Sequence, residues 1–142
     1  NSVHLRSYDP IPDGWLDPAV GERWAGIRQV RQVVTTALEA ARNDGAIGAS
    51  LQAAPVVHVD AARAELFAGE DAAALFITSD AQITTDAAPA DAFRVEGIEN
   101  AAVAFATADG GKCARCWKIM PEVTSEDGIC NRCDDVVNAA AG

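Results

Sequence analysis

Apolar positions recur at three- and four-residue steps through the first third of the chain. Val20, Trp24, Ile27, Val34, Leu38 and Ala41 fall on one face at helical period, with Val30 at the edge of the stripe, which predicts one long amphipathic helix. Asp17-Pro18 marks its start, because aspartate caps helix N-termini well and proline is tolerated at the first helical position. Asn43-Asp44-Gly45 marks its stop. Ahead of it, residues 1–16 read as an extended lead-in. Val3 and Leu5 alternate there with polar neighbours, His4 reads as a half-buried strand residue without catalytic partners, and Pro10, Pro12 and Gly14 break regular structure.

After residue 46 the period changes. Val56, Val57 and Val59 are β-branched and predict a strand. His58 alternates with them, so it points outward or meets a polar neighbour and does not act as a ligand. Asp60 is placed to cap a short helix over Ala61–Ala68, closed by Gly69. Ala72–Thr78 reads as a buried strand, Ile83-Thr84 as a short one, Ala87–Ala90 as a loop, and Phe93–Val95 and Ala101–Thr107 as two more strands. This β-α-β-β-β order predicts a small mixed sheet with one short helix on a face. Asp109-Gly110-Gly111 is a break before a cysteine-rich segment, and the Ala-Ala-Ala-Gly tail after Asn138 is expected to fray. The fold class is therefore α+β, in three parts: a long helix within residues 1–50, a small α+β region over 51–108 and a four-cysteine knuckle module over 109–142.

Composition adjusts this picture in three ways. Hydrophobic residues make up 49% of the 142, but many are alanine and only 6% are aromatic, so the expected core is modest and strongest around the three tryptophans. No apolar run approaches the roughly 20 residues of a membrane helix, and no secretion signal opens the chain, which points to a cytoplasmic protein with no membrane partner. The first residues, Asn-Ser-Val-His-Leu, lack an initiator methionine and suggest a piece of something longer. The formal charge of −10 argues against general nucleic-acid binding. From Asp60 to Asp109 ten acidic residues face only Arg63 and Arg94. In the cysteine segment the balance turns, with Lys112, Arg115, Lys118 and Arg132 against Glu122, Glu126 and Asp127.

All four cysteines form one pattern: Cys113-x2-Cys116, thirteen residues, then Cys130-x2-Cys133. Each pair suits a tight knuckle whose backbone N–H groups point at sulfur, and two knuckles supply the tetrahedral thiolates that zinc prefers. Gly128 permits the turn into the second knuckle. Disulfides, a redox Cys-x2-Cys motif and a four-thiolate iron site are the rival readings. Four thiolates leave no open coordination position, so a zinc here is structural. The surrounding basic residues either offset the −2 charge of such a cluster or contact phosphate. Trp117 either packs over the metal site or stacks on a nucleotide base. On the long helix Arg28, Arg31 and Arg42 lie within about 60° of one another. They form either a stripe for a polyanion or a solvated edge beside Glu39.

The ordered set resembles the C-terminal end of bacterial isoleucyl-tRNA synthetases. The stretches that carry the resemblance are Ser2–Leu5, Trp15-Leu16, Glu22-Arg23-Trp24, Val30-Arg31, Ala37–Arg42, Ile47-Gly48-Ala49-Ser50-Leu51, and Lys112-Cys113-Ala114-Arg115-Cys116-Trp117 with Cys130-x2-Cys133. The resemblance implies that residues 1–50 complete a helical anticodon-binding domain, 51–108 form a junction, and 109–142 form a zinc module packed on the anticodon-stem side of a tRNA complex. It implies isoleucine-accepting tRNA and the rest of the synthetase chain as partners, with Lys112, Arg115, Trp117, Lys118, Arg132, Arg28 and Arg31 as candidate tRNA contacts. The family joins isoleucine to its tRNA through an ATP-derived adenylate. The His-Ile-Gly-His and Lys-Met-Ser-Lys-Ser signatures are absent here, so ATP and the catalytic and proofreading sites belong elsewhere in the parent, and this segment has no active site of its own. The alternatives are a structural zinc module for protein–protein docking, and a DNA-glycosylase-like zinc tail. The latter family needs an N-terminal proline nucleophile that is not seen, so no DNA partner is expected.

Overall fold

A computed structural model describes residues 2–141, the side chain of Ala141 excepted. The predicted helix is α1 (Pro18–Asn43), and both ends follow from the residues that signalled them. Asp17 Oδ1 accepts from the N–H groups of Ala19 and Val20 at 3.0 and 3.1 Å. At the other end Ala46 N–H returns to Ala41 O at 2.9 Å through Gly45, whose φ of 75° lies in the left-handed region. The buried face is Ile27, Val30, Val33, Val34, Ala37, Leu38 and Ala41. Val30 is thus central to the stripe and not at its edge, while Val20 at the N-terminal end is exposed. The covered face begins where α1 meets the rest of the fold.

β1 (Val56–Val59) is the middle strand of a three-stranded sheet. It pairs in parallel with β2 (Gln82–Thr84), with Val57 opposite Ile83, and antiparallel with β3 (Ala101–Ala104), with Val57 opposite Val103. Two short helices make the parallel crossover, α2 (Ala61–Leu66) and α3 (Ala72–Phe76). The run Ala72–Thr78, expected as a strand, is therefore helical up to Phe76. Asp71 caps it by accepting from Ala74 N–H at 3.0 Å, and Ile77 ends it at a φ of 58°. A continuous apolar run does not itself distinguish a strand from a short buried helix, and the cap decided the matter. The expected strand at Phe93–Val95 reduces to a single bridge between Phe93 and Val103.

One hydrophobic core joins the face of α1 to Val57, Val59, Phe67, Phe76, Ala101 and Val103, with the Phe67 and Phe76 rings 5.8 Å apart. Two arginines of α1 close the ends of the crossover helices. Arg23 donates to Leu66 O at 2.9 Å and Ala68 O at 3.0 Å and pairs with Glu70, and Arg31 Nε donates to Leu75 O at 2.8 Å. These contacts satisfy C-terminal carbonyls that have no partner inside their own helices. His58 reaches Asp86 O through Nδ1 at 3.1 Å, the polar neighbour anticipated for it.

The tryptophans do not centre the core. Trp15 and Trp117 are exposed and Trp24 packs only at the core's margin, because the valines, Ile27, Leu38 and two phenylalanines fill the interior. The lead-in is two short 3-10 turns, Val3–Leu5 and Asp13–Trp15, with every side chain exposed, His4 included. The tail expected to fray is helical to Ala141, and Gly142 lies outside the described residues.

Candidate metal centre

The cysteine segment begins with a hairpin. β4 (Gly111–Lys112) and β5 (Ile119–Met120) pair antiparallel, and the first knuckle is the loop between them. Cys113 N–H donates to Lys118 O at 2.9 Å and Trp117 N–H to Cys113 O at 3.0 Å, so the loop closes on itself. Gly110 and Gly111 are required by crowding. A Cβ on Gly110 would stand 2.2 Å from Met120 O, and one on Gly111 2.2 Å from Val123 O. Gly110 also has a φ of 115°. The second knuckle leads into α4 (Asn131–Ala141), whose first turn carries Cys133. Gly128 braces the two knuckles, since its carbonyl accepts from Ala114 N–H at 2.9 Å.

The four sulfurs lie within 4.8 Å of one another, and all four cysteines are free thiols. Four thiolates about 2.3 Å from a central ion at tetrahedral angles stand about 3.8 Å apart. The Cys116 and Cys130 sulfurs are 3.7 Å apart. That spacing fits a tetrahedral metal cage and is well beyond the roughly 2.05 Å of a disulfide. Cys113, Cys130 and Cys133 are buried, and among the described residues the apolar side chains packed with them are Val123, Cys116, Met120 and Ile129.

Cys113 Sγ accepts the N–H of Cys116 at 3.5 Å and of Cys130 at 3.3 Å, one from each knuckle. Burial works to raise its pKa, but backbone N–H groups of Cys116, Cys130 and Arg115 outweigh it and bring it down to about 6. Burial and the neighbouring sulfurs push Cys130 up to about 12, and burial also raises Cys116. Without a cation the cluster can hold negative charge at one sulfur but resists placing it on all four. A divalent metal removes that conflict.

The other candidate residues separate into groups. Lys112 and Trp117 come together, with Lys112 Nζ 5.6 Å from the centroid of the Trp117 ring. Both line an open concavity with Gly110, Gly111, Val123 and Thr124. Trp117 has a φ of 67° and is 62% exposed, so it does not cover the metal site. Burial in the module falls instead to Val123, Met120 and Ile129. Arg115 and Lys118 share the hairpin, and Arg132 is exposed inside the second knuckle. Arg28 and Arg31 lie on α1. Arg28 is exposed, Arg31 is engaged with Leu75 O, and Arg42 pairs with Glu39, so the three do not form one free stripe. Sequence reasoning missed Ser79, which meets this hairpin from outside, because nothing local marks it.

No family model matches the chain. Individual proteins do. An isoleucine–tRNA ligase of Ruegeria pomeroyi is 48% identical over 94% of this chain, which covers 14% of that protein. That of Gluconobacter oxydans is 42% identical over 98% of the chain, again 14% of the relative's length. That of Agrobacterium fabrum is 43% identical over 88% of the chain and 13% of its own length. The chain thus spans about one seventh of the curated relatives it matches. Together with the cysteine cage, this identity over nearly the whole chain places it in the isoleucine–tRNA ligase family.

Proposed function

We infer that this segment is a C-terminal appendage through which an isoleucine–tRNA ligase holds its tRNA, ordered by one structural zinc. The observation that carries the tRNA reading is Trp117, a large aromatic held outward in a left-handed backbone conformation with a lysine over its ring. Exposing an indole forfeits its burial, and a flat exposed ring beside a cation suits a stacked base and its phosphate. Cys113, Cys116, Cys130 and Cys133 would hold the metal. Softness of the ligands and the closed four-thiolate set favour zinc and a structural role. The module has little apolar packing of its own, so zinc binding, roughly 10–16 kcal/mol for such sites, would supply its folding energy.

In this reading Lys112, Arg115, Lys118 and Arg132 attract the RNA backbone, while the acidic middle region stays clear of it. Arg28 remains available for phosphate on α1. Residues 1–50 belong with a helical anticodon-binding domain and 51–108 act as the junction to the module. ATP and isoleucine are handled elsewhere in the ligase, which works in the cytoplasm. No helix among the described residues is long and apolar enough to cross a membrane.

The test is Trp117→Ala in the whole ligase. The KM for tRNA should rise about tenfold while isoleucine-dependent ATP–pyrophosphate exchange stays unchanged, since a stacked base contributes about 1–3 kcal/mol. An unchanged KM rejects the contact. The acidic surface favours a second reading, a docking module for protein. Removing residues 109–142 distinguishes the two, because tRNA charging persists if the module docks protein and falls if it holds tRNA.

A further inference from the structure

The cysteine module and the body of the chain have separate cores. Beside the covalent chain, one hydrogen bond joins residues 109–141 to residues 2–108, in which Ile119 N–H of β5 donates to Ser79 Oγ at 2.6 Å. Among the described residues no other hydrogen bond and no salt bridge crosses that boundary. Ser79 is 6% exposed and lies between α3 and β2. Its hydroxyl donates in turn to Leu51 O, in the 3-10 turn Ser50–Gln52 that follows α1, and its own N–H donates to Ala53 O at 3.2 Å. A single hydroxyl thus uses both its donor and an acceptor position, joining the turn after α1 to the hairpin that carries Trp117.

We propose that Ser79 is a positioning residue for tRNA, a buried hydroxyl clamp that fixes the direction of the metal-bearing hairpin, and with it Trp117, relative to the body of the chain. This inference rests on the tRNA-holding reading above. The physical basis is the sparseness of polar bonds across the junction. With two unshared cores, the Ile119–Ser79 bond is the one directional polar contact, among the described residues, that sets the hairpin against the body. An alanine at position 79 leaves Ile119 N–H and Leu51 O without their partner. Among the described residues the Ser79 hydroxyl makes no hydrogen bond to a cysteine.

The experiment compares Ser79→Ala, Trp117→Ala and the double variant in the whole ligase. Ser79→Ala should retain zinc at the wild-type stoichiometry and leave ATP–pyrophosphate exchange unchanged, while the KM for tRNA rises about fivefold. Because Ser79 acts through Trp117, adding Ser79→Ala to Trp117→Ala should raise KM no further, whereas independent effects would multiply. A normal KM in Ser79→Ala beside a raised KM in Trp117→Ala overturns the clamp and leaves the tRNA reading standing. If neither variant raises KM, the tRNA reading fails and the clamp's role fails with it. A second measurement needs no variant. Amide exchange at Ile119 in the unaltered protein should be as slow as at Cys113, and rapid exchange there contradicts the clamp.

Discussion

Cys113 differs from its neighbours in that backbone N–H groups from both knuckles converge on its sulfur, holding its pKa down at about 6 while burial raises that of Cys130 to about 12. Near neutrality Cys113 is already thiolate, and at least Cys116 and Cys130 must lose protons for a metal to bind all four sulfurs. Metal affinity should therefore climb with pH, by at least about a hundredfold per unit for two or more protons released, and fall more steeply below pH 6 once Cys113 is protonated as well. Competition against a chelator at pH 5.5, 6.5 and 7.5 checks this, and a flat profile would contradict it. The arginines of α1 allow a second comparison. Arg31 is bound to Leu75 O, and truncating it to alanine should lower stability by about 1–3 kcal/mol in denaturant unfolding. Arg28→Ala should change stability by less than about 0.5 kcal/mol, as expected of an exposed side chain with no hydrogen-bond or ion-pair partner among the described residues.

Among the elements, α1 was legible because its signals are local: Asp17-Pro18 and Asn43-Asp44-Gly45 mark the ends, and the valines give the period. The knuckles were legible because ligand spacing constrains chemistry directly. α3 was not, because Ala72–Thr78 is apolar throughout and its one helical signal, the Asp71 cap, is a single residue. α4 was missed because its start is set by the second knuckle and its described side chains, Cys133 excepted, stay exposed. Ser79 was invisible for a different reason, since its partners lie 28 and 40 residues away in sequence. The hairpin β4–β5 makes its own prediction. Gly111→Ala would force a Cβ to within 2.2 Å of Val123 O, a backbone atom that cannot turn aside. It should cost about 2–4 kcal/mol and lower metal retention, whereas Gly14→Ala, where nothing stands within 4 Å, should leave metal retention unchanged.

Across the whole molecule the charge is divided: a net of −10, with both lysines of the chain in the cysteine hairpin. That division limits how RNA can be held. Four basic residues in the module support a slope of log affinity against log salt no steeper than about −3.6, and a steeper slope would require cations outside it. The body of the chain has a continuous apolar core, while in the proposed reading the module is ordered by its metal. The most direct measurement is elemental analysis with thiol titration on protein purified without chelator. The account predicts one zinc per chain and four thiols that react only after the zinc is removed. Protein without zinc, its cysteines joined in disulfides, would contradict it.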